Sequence, residues 1–262
     1  MLTALLLAAS GLPEAAACEK IGTDPAAALA YSSGLQGFIY GYPIVDMMKQ
    51  MHNETHRVSA DQPIVAPVNS IVAYPHILTP ATQGQLRAAN ADTLYLNAWV
   101  DLSKGPVLLE VPEMGARYYT LAFMDLYAKP FHLGTRTNGG KAMKYALVGP
   151  SGGDIPAGYQ RFDLPTDKAW MLGRLLADGK ADEKRVVAIA KTFRMQGPAA
   201  STVTAAEPLN PYASLDYFTI LNGALRTLKP IADEAALMAT FDRAGFGPKT
   251  NFAADKLTPA QS

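Results

Sequence analysis

The stretch that decides the fold is residues 90–127, NADTLYLNAWVDLSKGPVLLEVPEMGARYYTLAFMDLY. Apolar and polar residues alternate through it, and Ser-Lys-Gly-Pro at 103–106 and Pro-Glu-Met-Gly at 112–115 interrupt the alternation. A period of two between Gly/Pro turns reads as strands over 94–100, 107–111 and 117–127. Neighbouring strand residues point to opposite faces, so at most one of Tyr118 and Tyr119 can face a given pocket. Downstream, 130–134, 144–148, 161–164 and 169–175 are shorter strand candidates. The turn signals Asn138-Gly139-Gly140 and GPSGG at 149–153 lie among them.

Upstream, apolar residues at helical spacing predict a helix over 26–40, with Asp24-Pro25 as its cap and first turn. Gly41-Tyr42-Pro43 is read as a break before a second helix over 44–56. The Pro-, Asn- and Thr-rich segment 61–90 is expected to cross the fold without regular structure. After residue 180 the pattern becomes helical again, over 182–195, 215–228 and 231–241. The expected fold class is α+β: an antiparallel, jelly-roll-like β-sandwich with an N-terminal helix pair and C-terminal helices packed on it. Residues 21–250 would form this domain, and 251–262 a loose polar tail.

Hydrophobic residues make up 49% of the 262 and charged residues 18%, enough for a sizeable core. Basic and acidic residues are equal at 23 each. A neutral chain lacks the cationic surface that nucleic acid or a polybasic membrane anchor requires. The single cysteine, Cys18, excludes intramolecular disulfides and Cys-based metal sites from the rest of the chain.

LTALLLAASGL followed by EAAAC resembles a secretory leader, too short to span a bilayer as a stable helix. Residues 1–20 are therefore expected to be a signal peptide, the protein periplasmic or secreted, and the mature chain without a transmembrane segment. Lipid anchoring through Cys18 is the minority alternative, because Ala16-Ala17-Cys18 only partly matches a lipoprotein box.

The strand region carries a family resemblance. Asn90, Asp92-Thr93-Leu94-Tyr95, Trp99, Asp101-Leu102-Ser103, Gly105-Pro106, Val111-Pro112, Arg117-Tyr118-Tyr119, Asp125, Tyr127, Gly134, Arg136, Gly149-Pro150, Pro165-Thr166 and Gly173-Arg174 resemble the domain of unknown function 1254 family. The likeness extends over about residues 30–250. It implies a jelly-roll-like domain, usually followed by a second one, the domain of unknown function 1214. This chain looks like the first domain alone. The resemblance implies no reaction, cofactor or catalytic residue.

The residues themselves nominate a ligand site made of Asn90, Asp92, Tyr95, Tyr119, Asp125, Tyr127 and Arg136. If these strand ends converge, they offer two carboxylates, a fixed cation and phenolic hydroxyls. Such a group suits a small polar ligand, a carbohydrate or a carboxylate, with Arg136 as anion clamp. The competing reading is structural, with Asp and Asn capping turns and an Arg–Asp pair pinning loops. An alternative function is an interaction subunit that docks a separately encoded partner domain on the helices at 215–228 and 231–241, or a homo-oligomer. A weaker one is a hydrolase or lyase using the carboxylates or a histidine-held metal. His52 and His56 share a helix face, but Glu54 is not placed as in a zinc-protease helix, so no metal is assigned. His132 is the best proton carrier among the histidines. No Gly-rich loop follows a strand and opens a helix, so no nucleotide cofactor is expected.

Overall fold

The computed structural model describes residues 23–62, 64–79, 81, 89–198, 202–229 and 231–257. The leader-like segment with Cys18, and the end of the polar tail, lie outside the described residues. In chain order the regular elements are α1 (Pro25–Thr55), β1 (Val72–Ala73), β2 (Thr93–Asp101), β3 (Val107–Val111), β4 (Tyr119–Asp125), β5 (Pro130–Gly134) and α2 (Thr135–Asn138). They continue with β6 (Met143–Val148), β7 (Gln160–Asp163), β8 (Lys168–Leu176), α3 (Glu183–Ala190), β9 (Arg194–Gln196), α4 (Asp216–Leu225) and α5 (Ala235–Ala244). The fold is α+β, with helices at both ends of the chain. Of the described residues, those within 43–213 form one compact unit, and 23–42 with those within 214–257 form another.

In the first of these units the strands make two sheets, ordered β1-β2-β8-β4-β5 and β7-β6-β3-β9. They share one apolar core. Leu94, Leu96, Leu121, Phe123 and Met171 enter it from the five-stranded sheet, Val107, Leu109 and Leu147 from the other. The strand positions match the alternation, and β3 and β5 begin and end where the turn residues placed them. One pair departs from the all-antiparallel expectation. β6 and β7 run parallel, because the Gly/Pro-rich connection at 149–159 crosses over instead of closing a hairpin.

β2 is buried on both faces. Its even positions fill the core, while Asn97 and Trp99 on the other face meet Glu54 of α1. One carboxylate oxygen, Glu54 Oε2, accepts from Asn97 Nδ2 at 3.0 Å and Trp99 Nε1 at 2.7 Å. Trp170 Nε1 donates to Asn97 Oδ1 at 2.5 Å, and the two indoles stack at 5.9 Å. Burial pushes the Glu54 carboxyl above its ordinary range, outweighing the hydrogen bonds from Trp99 and Asn97 that favour its charge.

Two helical expectations are corrected. α1 is one 31-residue helix with Pro43 inside it, in place of a helix pair. An interior proline costs about 3 kcal/mol. Just after it, Ile44 and Val45 are fully buried, and complete burial of two such side chains returns roughly 3–6 kcal/mol. The predicted helix over 182–195 stops at Ala190, and β9 then pairs with β3. Val186, Ala190 and Phe193 are all buried, at spacings that imitate a helix face.

In the second unit the first part of α1 packs with α4 and α5. A Cβ on Gly37 would lie 2.5 Å from Phe246, and one on Gly41 2.7 Å from Leu221, so the two glycines set how closely these elements approach. Tyr217 donates its hydroxyl to the Phe38 carbonyl at 2.6 Å, and Asn222 Nδ2 donates to the Gly247 carbonyl at 2.7 Å.

Candidate functional site

Register alone brings a row of side chains together on the outer face of the five-stranded sheet. Tyr95 of β2 lies opposite Arg174 of β8, Arg174 opposite Thr120 of β4, and Thr120 opposite Gly134 of β5. Beside this row opens a cavity of about 580 Å³, whose walls include Asn90, Thr93, Tyr118, Thr120, His132 and Arg174. Arg136 and Thr137 reach it from α2, the single turn that follows β5.

The wall is partly fixed. Asn90 N–H donates to the Tyr95 hydroxyl at 2.8 Å, and the Arg174 guanidinium lies over the Tyr95 ring at 5.5 Å. A cation at this distance over a ring makes a cation–π contact. Thr120 Oγ1 lies 3.3 Å from His132 Nδ1. Among the described residues, Thr93 Oγ1 is the one buried side-chain polar atom without a hydrogen-bond partner. Thr93 is 5% exposed and borders the cavity. Buried hydroxyls normally find a partner, so an orphan at a cavity wall calls for an explanation.

The nominated residues divide. Asn90, Tyr119 and Arg136 border the cavity, and Tyr95 supports it through Asn90 and Arg174. Tyr119, however, sends its ring into the core and is fully buried. Its hydroxyl accepts from Asn138 Nδ2 at 2.6 Å, and burial pushes its pKa up to about 12. Asp92 is exposed, and its carbonyl accepts from Ala177 N–H at 2.8 Å. Asp125 and Tyr127 lie at the far end of β4, roughly 17 Å along the strand from Thr120 at ~3.3 Å per residue.

Asp125 closes the β4–β5 hairpin there. Its Oδ1 accepts from the N–H groups of Tyr127 and Lys129, each at 2.9 Å, and the residue is 1% exposed. The expected meeting of Asp92, Asp125 and Arg136 does not occur, so a carboxylate pair at one centre is absent. Sequence reading passed over Thr93, Thr120 and Arg174. Their signal was parity, since the residues facing the cavity from β2, β8 and β4 fall in register only once the strand pairing is known.

The histidine cluster does not assemble either. His52 and His56 stack at 4.4 Å, but His52 Nε2 lies 3.0 Å from the Glu207 carbonyl and His56 Nδ1 2.9 Å from the His52 carbonyl. Among the described residues no three His, Cys, Asp or Glu side chains gather as metal ligands. A second groove of about 450 Å³ runs over the four-stranded sheet. Its carboxylate, Glu110, is engaged by Lys144 at 3.0 Å and Tyr159 at 2.8 Å.

Fold and cavity define a two-sheet α+β domain with a donor-rich hollow at one end of the larger sheet. Residues 68–197 match the profile of the family described as Protein of unknown function (DUF1254), and the chain belongs to that family. The match is narrower than the 30–250 span of the resemblance and holds every strand of both sheets. No curated protein matches the chain. Among solved structures, the chain is similar to the VPA0106 protein from Vibrio parahaemolyticus, with a TM-score of 0.64 at 21% identity, over 90% of this chain and 55% of that one. An uncharacterized protein from Burkholderia cenocepacia aligns at 16% identity with a TM-score of 0.35, over 90% of this chain and 57% of that one. The first likeness bears on the fold alone, and the second score is too low to bear on it. The chain thus spans little more than half the length of either structure. Among the described residues no helix is long and apolar enough to cross a membrane.

Proposed function

We propose that this protein, exported by its leader-like N-terminal segment, binds a small polar ligand in the cavity between Asn90, Thr93, Arg136 and Arg174. The observation that carries the reading is the Thr93 hydroxyl, which is sealed in the cavity wall without a partner among the described residues and would gain one from a ligand once the side chain turns about χ1. The volume supports it, since pockets for small organic ligands run to roughly 300–1,000 Å³. Asn90 and Thr120 add neutral hydrogen-bonding groups to the two guanidinium groups.

Thr93→Val tests this. The variant keeps the side-chain shape and replaces the orphan hydroxyl with a methyl group. Because an unsatisfied buried hydroxyl costs about 1–3 kcal/mol, the unliganded protein should be equally or more stable by thermal melting. Calorimetric binding of small polar probes should weaken about fivefold or more, the loss of one hydrogen bond of about 1 kcal/mol. Unchanged affinity for every probe that binds the wild type would refute the reading.

A second reading has its own observation. Leu29, Tyr31, Leu35, Ile39 and Tyr42 are all about half exposed or more, and most share one face of α1. The expected dock, the C-terminal helices, instead buries Tyr217, Leu221, Leu225, Met238 and Phe241. In this reading the exposed α1 face docks a partner domain through apolar contacts. A monomer in light scattering that fails to bind such a domain removes it.

A further inference from the structure

We infer that the ligand of the cavity is an organic carboxylate, a step that rests on the binding reading above. Two cations border the hollow, Arg136 from α2 and Arg174 from β8. No Asp or Glu borders it among the described residues. Two other arginines of the same unit hold a carboxylate, while Arg57 and Arg194 donate to backbone carbonyls. Arg117 grips Asp182 with both terminal nitrogens, at 2.5 and 3.0 Å, and Arg161 grips Asp163. Arg136 and Arg174 have no carboxylate partner among the described residues.

The Arg174 contact is specific in kind. A cation–π contact at 5.5 Å uses none of the guanidinium's N–H donors, so they remain for the paired in-plane bonds a carboxylate accepts. Tyr95 is held in turn by Asn90, so the cation is positioned before any ligand arrives. Preorganisation of this kind lowers the cost of binding.

Two rival ligands fit less well. A neutral sugar brings no charge, so its binding would take both guanidinium groups out of water without an anionic partner. An inorganic anion would leave most of about 580 Å³ unfilled. It would also lack backbone donors at Gly134, whose N–H already donates to Thr137 Oγ1 at 3.0 Å.

Titration calorimetry of the full chain at neutral pH and low salt, with glucuronate, succinate, glucose and inorganic phosphate, tests the inference. Glucuronate or succinate should bind, and glucose and phosphate should bind at least about tenfold more weakly, the scale of one charge-assisted pair. Arg136→Gln and Arg174→Gln should each weaken the carboxylate by about tenfold or more with little change in melting temperature, and Arg174→Lys should lose less than Arg174→Gln. Glucose binding as tightly as glucuronate, weakened by Thr93→Val and untouched by the arginine variants, would overturn the carboxylate inference and leave the pocket reading standing. Phosphate matching the carboxylates would overturn it in the same way. Failure of all four probes, or binding indifferent to Thr93→Val and both Arg→Gln variants, would overturn both.

Discussion

Glu54→Ala should unsettle the sheet unit more than its place near a helix end suggests. Two donors converge on the single oxygen Oε2, the Trp99 indole at 2.7 Å and the Asn97 amide at 3.0 Å. Trp99 is 2% exposed and Asn97 4%, so neither orphaned N–H can turn to water. An unsatisfied buried donor costs about 1–3 kcal/mol, which puts the pair at about 2–6 and most simply near 4 kcal/mol. For a chain of this size each kcal/mol moves the midpoint by about 2–4 °C, so a fall of roughly 8–16 °C is expected. The assay is built in. Trp99 and Trp170 are the chain's two tryptophans, they stack on each other, and both belong to this cluster. Melting followed by tryptophan emission therefore reports on this site, and the folded emission itself should shift as the indole loses its partner.

Glu54→Gln sharpens the test. The amide oxygen can occupy the Oε2 position and keep both bonds, so this variant should stay close to wild type in acid. The Glu54 pKa is raised, chiefly by burial. The folded state then binds the proton more tightly than the unfolded chain, and wild-type stability falls as pH rises from the ordinary carboxyl range to the raised value. Glu54→Gln should not show that fall. A Glu54→Ala melt within about 2 °C of wild type, with unchanged emission, would refute this picture of the cluster, since even one orphaned donor should exceed that shift.

Asp125→Ala should lower stability by about 2–4 kcal/mol, because two backbone N–H groups at the hairpin lose a shared carboxylate acceptor, while ligand affinity in the cavity stays unchanged. Chemical denaturation and calorimetry on one preparation check both halves. Asp182 is expected to set part of the acid stability. The Arg117 guanidinium at 2.5 Å holds its pKa down to about 2. Its contribution is therefore complete above the ordinary carboxyl range and drains away as pH falls from about 4 to about 2, a loss that Asp182→Asn should remove from the melting profile.

Much of the sheet unit was legible because period and punctuation agreed. β3 lies between Gly105-Pro106 and Pro112, and its alternation admits one face to the core, so its limits could be read directly. α1 was not legible as one helix, because what carries it past Pro43 is the complete burial of Ile44 and Val45, which only the folded chain reveals. β9 was hidden for the opposite reason, since Phe193 completes a helical spacing while serving the core beside a strand. At the site, Arg136 was recognisable as a cation near a strand end. Asp125 was misleading, because an aspartate that closes a hairpin and one that meets a ligand look alike until its N–H donors are seen. Arg174 became visible only through register, which sets it across from Tyr95 on one side and Thr120 on the other.

A crystal structure of the full chain grown with glucuronate or succinate tests the central claim most directly. It should place the small molecule in the hollow at the end of the five-stranded sheet, with the Thr93 hydroxyl hydrogen-bonded to it and a guanidinium from Arg136 or Arg174 on its carboxylate. The small molecule bound elsewhere on the protein, with Thr93 still unpartnered, would contradict it.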